Sequence, residues 1–226
     1  MRPIPSNSSQ ANLYGTGEDL YLKFQQLLAD LVRRNPINPN LPTESLFHAV
    51  IGKWNQFQII EKWMLKAFQY ISRFYVPHLS KPPLSFLSLV IFNQEVFKKY
   101  EKTVNSVLLE DIQRLRVGEN VDQNRMKDAV KLLLKMGFGD RMSGDFVQQL
   151  LRSTATYYKE ESKKCIASTS VVDYTRKVHG WLTFEQQLAS WVLPDSIIQL
   201  QFLGEIERET IAEHLSFILD TPDGGF

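Results

Sequence analysis

The feature that most constrains the fold of this chain is one long amphipathic stretch, from Trp54 to Ser80, that carries two apolar stripes. At about 100° per residue, one face of the predicted helix collects Met64, Ala67, Phe68, Ile71 and Tyr75. A second stripe to one side is purely aromatic and consists of Trp63, Tyr70 and Phe74. Each apolar face of a helix needs a partner that buries it. The second partner is therefore either another helix of the same bundle or another protein.

Composition limits the compartments and partners to be expected. The chain has 26 basic and 25 acidic residues, a net charge of +1, which gives no electrostatic reason to expect a nucleic-acid or membrane partner. The longest near-apolar run, residues 84–92, is too short to cross a bilayer, and the first ten residues lack the apolar core of a signal peptide. The single cysteine, Cys165, cannot form an internal disulfide, which fits a reducing compartment. We therefore expect the protein in the cytoplasm or the nucleus.

Apolar residues recur at helical spacing along almost the whole chain, and no segment shows clear alternation with period two, so we predict an all-α fold. Residues 1–17 and 221–226, rich in small and polar residues, are expected to form a disordered tail and a loop. Helical spacing is found in residues 18–34, 43–50, 54–80, 84–117, 122–136, 145–166, 171–193 and 195–219. The predicted core contains Trp54, Phe68, Ile71, Phe92, Leu133, Phe146, Tyr158, Leu182 and Val192.

Patterns that would indicate catalysis or metal binding are weak. None of the four histidines has a Cys or His neighbour at metal-ligand spacing, so we interpret each as a surface residue. Acidic clusters such as Glu160–Glu161 suit solvated helix faces better than paired catalytic carboxylates. Lys163 and Lys164 flank Cys165 without a matching base, so an incidental thiol is the better interpretation. We expect no catalytic residue, no metal and no cofactor, and therefore no enzyme.

Five segments, in order, resemble the N-terminal half of a cullin, and are most similar to the plant cullins of SCF-type ubiquitin ligases. The segment LFHAVIGKWNQFQIIEKWMLKAFQYISRFYV resembles the end of the first cullin repeat, and PPLSFLSLVIFNQEVF is similar to the start of the second. Three further segments resemble later parts of that repeat: LLEDIQRLRVGENVDQNRMKDAVKLLLKMG, DFVQQLLRSTATYYKEESKKCI and VVDYTRKVHGWLTFEQQLASWVLPDS. Each segment alone is a weak signal, whereas five in the right order are a strong one.

The resemblance implies an elongated stalk of helical cullin repeats that acts as a scaffold. It assigns residues 18–82 to helices three to five of the first repeat and residues 83–220 to a five-helix second repeat. The family's first two helices, its third repeat and its RING-binding, modifier-accepting domain have no counterpart in the sequence. We therefore expect no RING subunit among the partners.

The resemblance also implies a binding site for an F-box-binding adaptor protein. The family's adaptor-contacting segment of the fifth helix falls on Gln69 to Val76, with Tyr70 and Arg73 at its Tyr and Arg positions and Phe74 beside them. Together with Trp63 of the aromatic stripe, these residues form the candidate adaptor-binding site. The alternative, that the aromatic rings pack on a neighbouring helix, stays open at this point.

Three functions are compatible with the sequence. The first is a truncated cullin-like scaffold that binds an F-box-binding adaptor and takes part in ubiquitin-dependent protein catabolism. The second is a degenerate cullin-like protein that folds but no longer binds the adaptor. The third is a helical tethering or membrane-peripheral protein that resembles cullins in architecture alone, against which the near-zero net charge argues.

Overall fold

The computed structural model describes residues 7–137, 144–193 and 195–220, with side chains described from Thr16 onwards except at residues 144, 145 and 220. Its α-helices are α1 Asn7–Arg33, α2 Thr43–Ala67, α3 Gln69–Phe74, α4 Leu84–Phe92, α5 Lys98–Arg116, α6 Gln123–Met136, α7 Gly144–Ile166, α8 Val171–Val192, α9 Ser196–Thr210 and α10 Leu215–Asp220. A π-helical segment, Asn93–Phe97, joins α4 to α5, and a short 3-10 turn, Ala212–His214, precedes α10. The described residues contain no strand, and the predicted all-α fold is confirmed.

The first helix begins earlier than the sequence indicated. We expected it to start at Glu18, whereas α1 runs from Asn7, so residues 7–17 extend the helix and do not form a tail. Once a helix is nucleated, each added residue gains a backbone hydrogen bond, which lets it continue through residues of modest helix propensity. Residues 1–6 and 221–226 lie outside the described residues.

The first compact unit, Met1–Asp140, contains α1 to α6. Its centre is an aromatic cluster in which Phe57 of α2 lies 4.5 Å from Phe92 of α4, ring centre to ring centre, and Trp54 lies 5.3 Å from Phe92. All three rings are almost completely buried. The helices α4 and α5 pack against α1 and α2, so this unit does not end at the predicted repeat boundary between residues 82 and 83. The assignment of the helices to two repeats stays a prediction.

An ion-pair network joins three helices of this unit. Arg125 of α6 donates to Asp111 of α5 at 2.9 Å and also pairs with Glu44 of α2. The Asp111 side chain is only 2% exposed, and its second partner is Arg114 at 3.3 Å. The Arg125 guanidinium also lies over the Phe47 ring, 5.3 Å from its centre. These contacts fix how α2, α5 and α6 pack.

The second compact unit, Arg141–Phe226, contains α7 to α10. Its core combines apolar residues with buried polar residues such as Glu185 and Thr210. The buried Tyr158 hydroxyl donates to the Glu185 carboxylate at 2.8 Å, and the Tyr174 hydroxyl donates to the Thr210 carbonyl at 2.6 Å. The first bond joins α7 to α8 and the second joins α8 to α9, so each pair of successive helices is held at a defined position.

Most of the predicted core residues are buried. These are Trp54, Ile71, Phe92, Leu133, Phe146, Tyr158 and Val192. The prediction was wrong for Phe68 and Leu182, which are half-buried. Both lie at the edge of an apolar stripe, where periodicity alone does not separate core from rim.

Candidate protein-binding surface

The double-striped segment is two helices and not one. The sequence predicted a continuous helix from Trp54 to Ser80 after a separate short helix, whereas α2 runs unbroken from Thr43 to Ala67. Phe68 then leaves the helical conformation, with φ −97° and ψ 19°, and α3 ends at Phe74. Helix breaks usually coincide with Gly or Pro, but residues 53–76 contain neither. The sequence therefore carries no local signal of this break.

The first apolar stripe faces the protein interior, although not along its whole length. Ile71 and Tyr75 are buried, and Met64 and Phe68 are half-buried. The Phe68 ring packs edge-on against the buried Phe24 ring of α1, with centres 5.3 Å apart. Ala67 is exposed, so the stripe is not buried at the residue just before the helix break at Phe68. This stripe holds α2 and α3 against α1.

The second, aromatic stripe lies at the surface. Trp63 is 61% exposed, Tyr70 58% and Phe74 55%. The Tyr70 and Phe74 rings lie on α3 with centres 5.1 Å apart, and Arg73 between them in sequence is also exposed. Trp63 lies on α2, before the break, and the Lys66 ammonium is 5.5 Å from its ring centre. Within the part of the chain that the structure describes, no neighbouring helix buries these rings.

We call Trp63, Tyr70 and Phe74, together with Arg73, the aromatic face. Its two aromatic residues on α3 contact each other, whereas Trp63 belongs to the preceding helix. Sequence reasoning missed one neighbouring apolar residue: Ile59, one turn before Trp63 on α2, is 62% exposed. Its i, i+4 spacing from Trp63 was the available signal.

A polar cluster in the middle of α1 holds the turn that follows α3. The Tyr75 hydroxyl donates to the Glu18 carboxylate, and the Lys81 ammonium lies 3.0 Å from the same carboxylate. The Tyr21 hydroxyl donates to the Pro82 carbonyl at 3.2 Å. Tyr75, the residue after Phe74, is thus hydrogen-bonded to α1. This contact holds the C-terminal end of the aromatic face in place.

Titration behaviour in this cluster reflects burial and hydrogen bonding. Burial, with the hydrogen bond to Glu18, raises the pKa of Tyr75 to about 12. Hydrogen bonds from Tyr75 and Lys81 lower the pKa of the Glu18 carboxyl. At neutral pH, the Tyr75 hydroxyl therefore stays protonated and donates a hydrogen bond to the ionised Glu18 carboxylate.

The described residues offer little for other kinds of site. They contain no group of three or more His, Cys, Asp or Glu side chains arranged to hold a metal ion. None of the helices that the structure describes is both long and apolar enough to span a bilayer. The aromatic face is accordingly the surface feature that most needs a functional explanation.

Comparison with known proteins places the chain in one family. A family model described as the cullin alpha solenoid domain matches residues 7–224. A cullin-like protein of Arabidopsis thaliana is 26% identical over 216 residues, covering 92% of this chain and 57% of that protein. Cullin-3A of the same plant is 24% identical (97% of this chain, 30% of the relative), and Cullin-1 of Oryza sativa subsp. japonica is 24% identical (92% and 28%).

The matched relatives are longer than this chain, which spans just over half the length of the first and about three-tenths of the other two. Their names agree with the family model, and the match extends over all of the described helices. The chain therefore belongs to the cullin family.

Proposed function

We propose that this chain is a non-catalytic scaffold that binds an F-box-binding adaptor protein through the aromatic face, within ubiquitin-dependent protein catabolism. Family membership supports the scaffold role. The observation that carries the adaptor proposal is the exposure of Trp63, Tyr70 and Phe74, each more than half exposed along α2 and α3. The resemblance to cullins associates Tyr70, with Phe74 beside it, with the adaptor, and Trp63 joins them through the aromatic stripe.

The composition of the aromatic face fits a protein interface. Tyr, Trp and Arg are the residue types that most often dominate binding energy at such interfaces, because each combines a large apolar area with a polar or charged end. Scattered exposed apolar residues are ordinary, whereas a contiguous cluster indicates a partner. The Tyr70–Phe74 ring contact gives such a cluster a defined shape.

The first experiment is calorimetry of the purified chain with an F-box-binding adaptor at physiological salt. We expect wild-type binding in about the micromolar range or tighter. The double variant Tyr70→Ala, Phe74→Ala should weaken binding at least about tenfold, since it removes two rings from the centre of the interface.

A matched control keeps this test specific. Ile197→Ala with Leu200→Ala removes two side chains of α9 that are 66% and 71% exposed, and should leave binding unchanged. Circular dichroism would establish that all variants are folded. If the folded wild type does not bind, the adaptor proposal is wrong. If Tyr70→Ala, Phe74→Ala binds like the wild type, the adaptor binds elsewhere.

Binding of this kind would have a regulatory consequence in the cell. Adaptor occupied by this chain would be withheld from complete ubiquitin ligases, which links the proposed scaffold to protein degradation as a competitor. The proposal also requires the chain and the adaptor to share the cytoplasm or the nucleus. A fluorescent fusion found only in a secretory or organellar compartment would contradict it.

A further inference from the structure

The aromatic face carries the same short pattern on both sides of the break at Phe68. On α2 the pattern is Ile59, then Lys62 and Trp63; on α3 it is Tyr70, then Arg73 and Phe74. In each case an apolar residue is followed by a cation at i+3 and an aromatic residue at i+4. Residues at these spacings lie on one helix surface. Both helices therefore present two apolar side chains with a cation beside them.

The cation falls on the same side of the apolar pair in both helices. At about 100° per residue, the i+4 position lies about 40° one way from the first residue and the i+3 position about 60° the other way. Lys66, seven residues after Ile59, also falls on the cationic side of Trp63, and its ammonium lies 5.5 Å from the Trp63 ring centre. The cations thus border one edge of each apolar pair.

The charge of this surface is unbalanced, although that of the whole chain is not. Residues 59–75 contain the cations Lys62, Lys66 and Arg73, which are all exposed, and one carboxylate, Glu61. Glu61 is half-buried, and burial raises the pKa of its carboxyl. The exposed cations of this segment form no ion pair among the described residues. The chain as a whole has a net charge of +1, but this surface has a locally positive edge.

We propose that the aromatic face extends to Ile59 and that its partner is a protein with an apolar groove bordered on one side by acidic side chains, which pair with Lys62, Lys66 and Arg73. This inference rests on the proposed function and specifies the partner's chemistry. Apolar side chains in the groove resist dissociation, whereas the cations at the rim accelerate association. A protein partner is favoured over a lipid surface because the Tyr70 and Phe74 rings contact each other on α3, while Trp63 is held on a separate helix, α2.

The cationic edge is tested by association kinetics of the full chain with an F-box-binding adaptor at low and at physiological salt. The triple variant Lys62→Gln, Lys66→Gln, Arg73→Gln should lower the association rate about tenfold at low salt and change the dissociation rate little. Its control is Lys98→Gln, Lys99→Gln, Lys102→Gln, which removes three exposed cations of α5 and the same net charge. That control should associate like the wild type. Equal rates for the two triple variants would overturn the cationic edge.

The role of Ile59 is tested separately. Ile59→Ala should raise the dissociation rate about fivefold or more, while Ile197→Ala, with 66% exposure against 62%, should not. If the two variants behave alike, Ile59 is not part of the surface.

Two further outcomes separate this inference from the proposed function. Wild-type binding that no variant here affects would overturn the inference and leave the proposed function standing. Absence of wild-type binding would overturn both. The remaining experiment is flotation with phosphatidylserine-containing vesicles. If the wild type floats with the vesicles and the Lys62, Lys66 and Arg73 triple variant does not, the cationic edge binds a lipid surface. That result would overturn the proposal of a protein partner.

Discussion

Gly17 shows how one missing methyl group permits a close helix contact. A Cβ at this position would lie 2.8 Å from Cγ of the Tyr75 ring and 2.7 Å from its Cε2. Tyr75 is 5% exposed and hydrogen-bonded to Glu18, so its ring has little freedom to move. Only glycine therefore lets α1 approach the end of α3 this closely.

We predict that Gly17→Ala lowers the free energy of unfolding by about 1–3 kcal/mol, because the added methyl group overpacks the contact. The control is Gly180→Ala in α8, where a Cβ would have no neighbour within 4 Å. That substitution should be stabilising by about 0.5–1 kcal/mol through helix propensity. Chemical denaturation of both variants gives the comparison. A stabilising Gly17→Ala would show that the helices are not this close.

Glu18 gives the same contact a dependence on pH. Its pKa is lower in the folded protein than in the unfolded chain, so its ionised form stabilises the fold above the unfolded value of about 4.3. This contribution is lost as the pH falls through the folded pKa. We predict that Glu18→Gln is less stable than the wild type at pH 7 and that the difference shrinks towards pH 3. Denaturation curves across this range provide the test. A difference independent of pH would mean that the carboxylate charge contributes nothing.

At the scale of helices, the ion-pair network of Arg125 determines how α2, α5 and α6 pack. Asp111 is almost completely buried and faces Arg125 at 2.9 Å and Arg114 at 3.3 Å. The cost of burying such charges offsets much of their attraction, so the network contributes more to a unique arrangement than to net stability. Removing Asp111, by contrast, leaves the Arg125 side chain, which is only 11% exposed, without its buried counter-charge.

We therefore expect Asp111→Asn to lower the free energy of unfolding by about 2–4 kcal/mol, since the more exposed Glu44 is then the one carboxylate among the described residues that still pairs with Arg125. Asp128→Asn on α6 is the matched control. Its carboxylate is 34% exposed and pairs with Lys131 at 3.2 Å, so its loss should cost less than about 1 kcal/mol. Thermal unfolding of the two variants compares the stability lost with a buried ion pair and with an exposed one. Similar costs would mean that the network is more hydrated than its burial indicates.

At the scale of the whole molecule, the chain has two compact units, and each has a core of its own. In the second unit, Phe202 of α9 is 1% exposed and Ile206, one turn further, is fully buried. The opposite side of α9 exposes Ile197 and Leu200. This helix therefore provides a buried and an exposed position for comparison within 15 residues.

We predict that Phe202→Ala costs about 3–5 kcal/mol and reduces the hydrogen-exchange protection of α7 to α9. Ile197→Ala, which removes a 66% exposed side chain from the same helix, should cost less than about 0.5 kcal/mol. Hydrogen exchange with mass spectrometry resolves the effect by segment. Unchanged protection in Phe202→Ala would place the core of this unit elsewhere.

The sequence by itself determined the features that depend on local chemistry or on periodicity. Asp122, a residue type that favours the N-cap position, caps α6: its carboxylate accepts from the backbone N–H groups of Asn124 and Arg125. Gly118, which follows the end of α5, has φ +80°, a conformation that favours glycine and commonly ends a helix. The all-α fold and most of the core follow from apolar spacing, because a helix places every third or fourth residue on one face. The candidate site residues followed from the second stripe and from the resemblance to cullins.

Only the tertiary structure decided what lies on each face of α2 and α3. Periodicity shows that Trp63, Tyr70 and Phe74 share a stripe, but it does not show whether another helix covers them; in the described residues none does. No Gly or Pro marks the helix break at Phe68 in the sequence. The contact of Tyr75 with Gly17 joins residues that are 58 positions apart. Such features arise from packing between distant segments. They cannot be predicted from the local sequence, because the energy that stabilises them comes from contacts between the two segments.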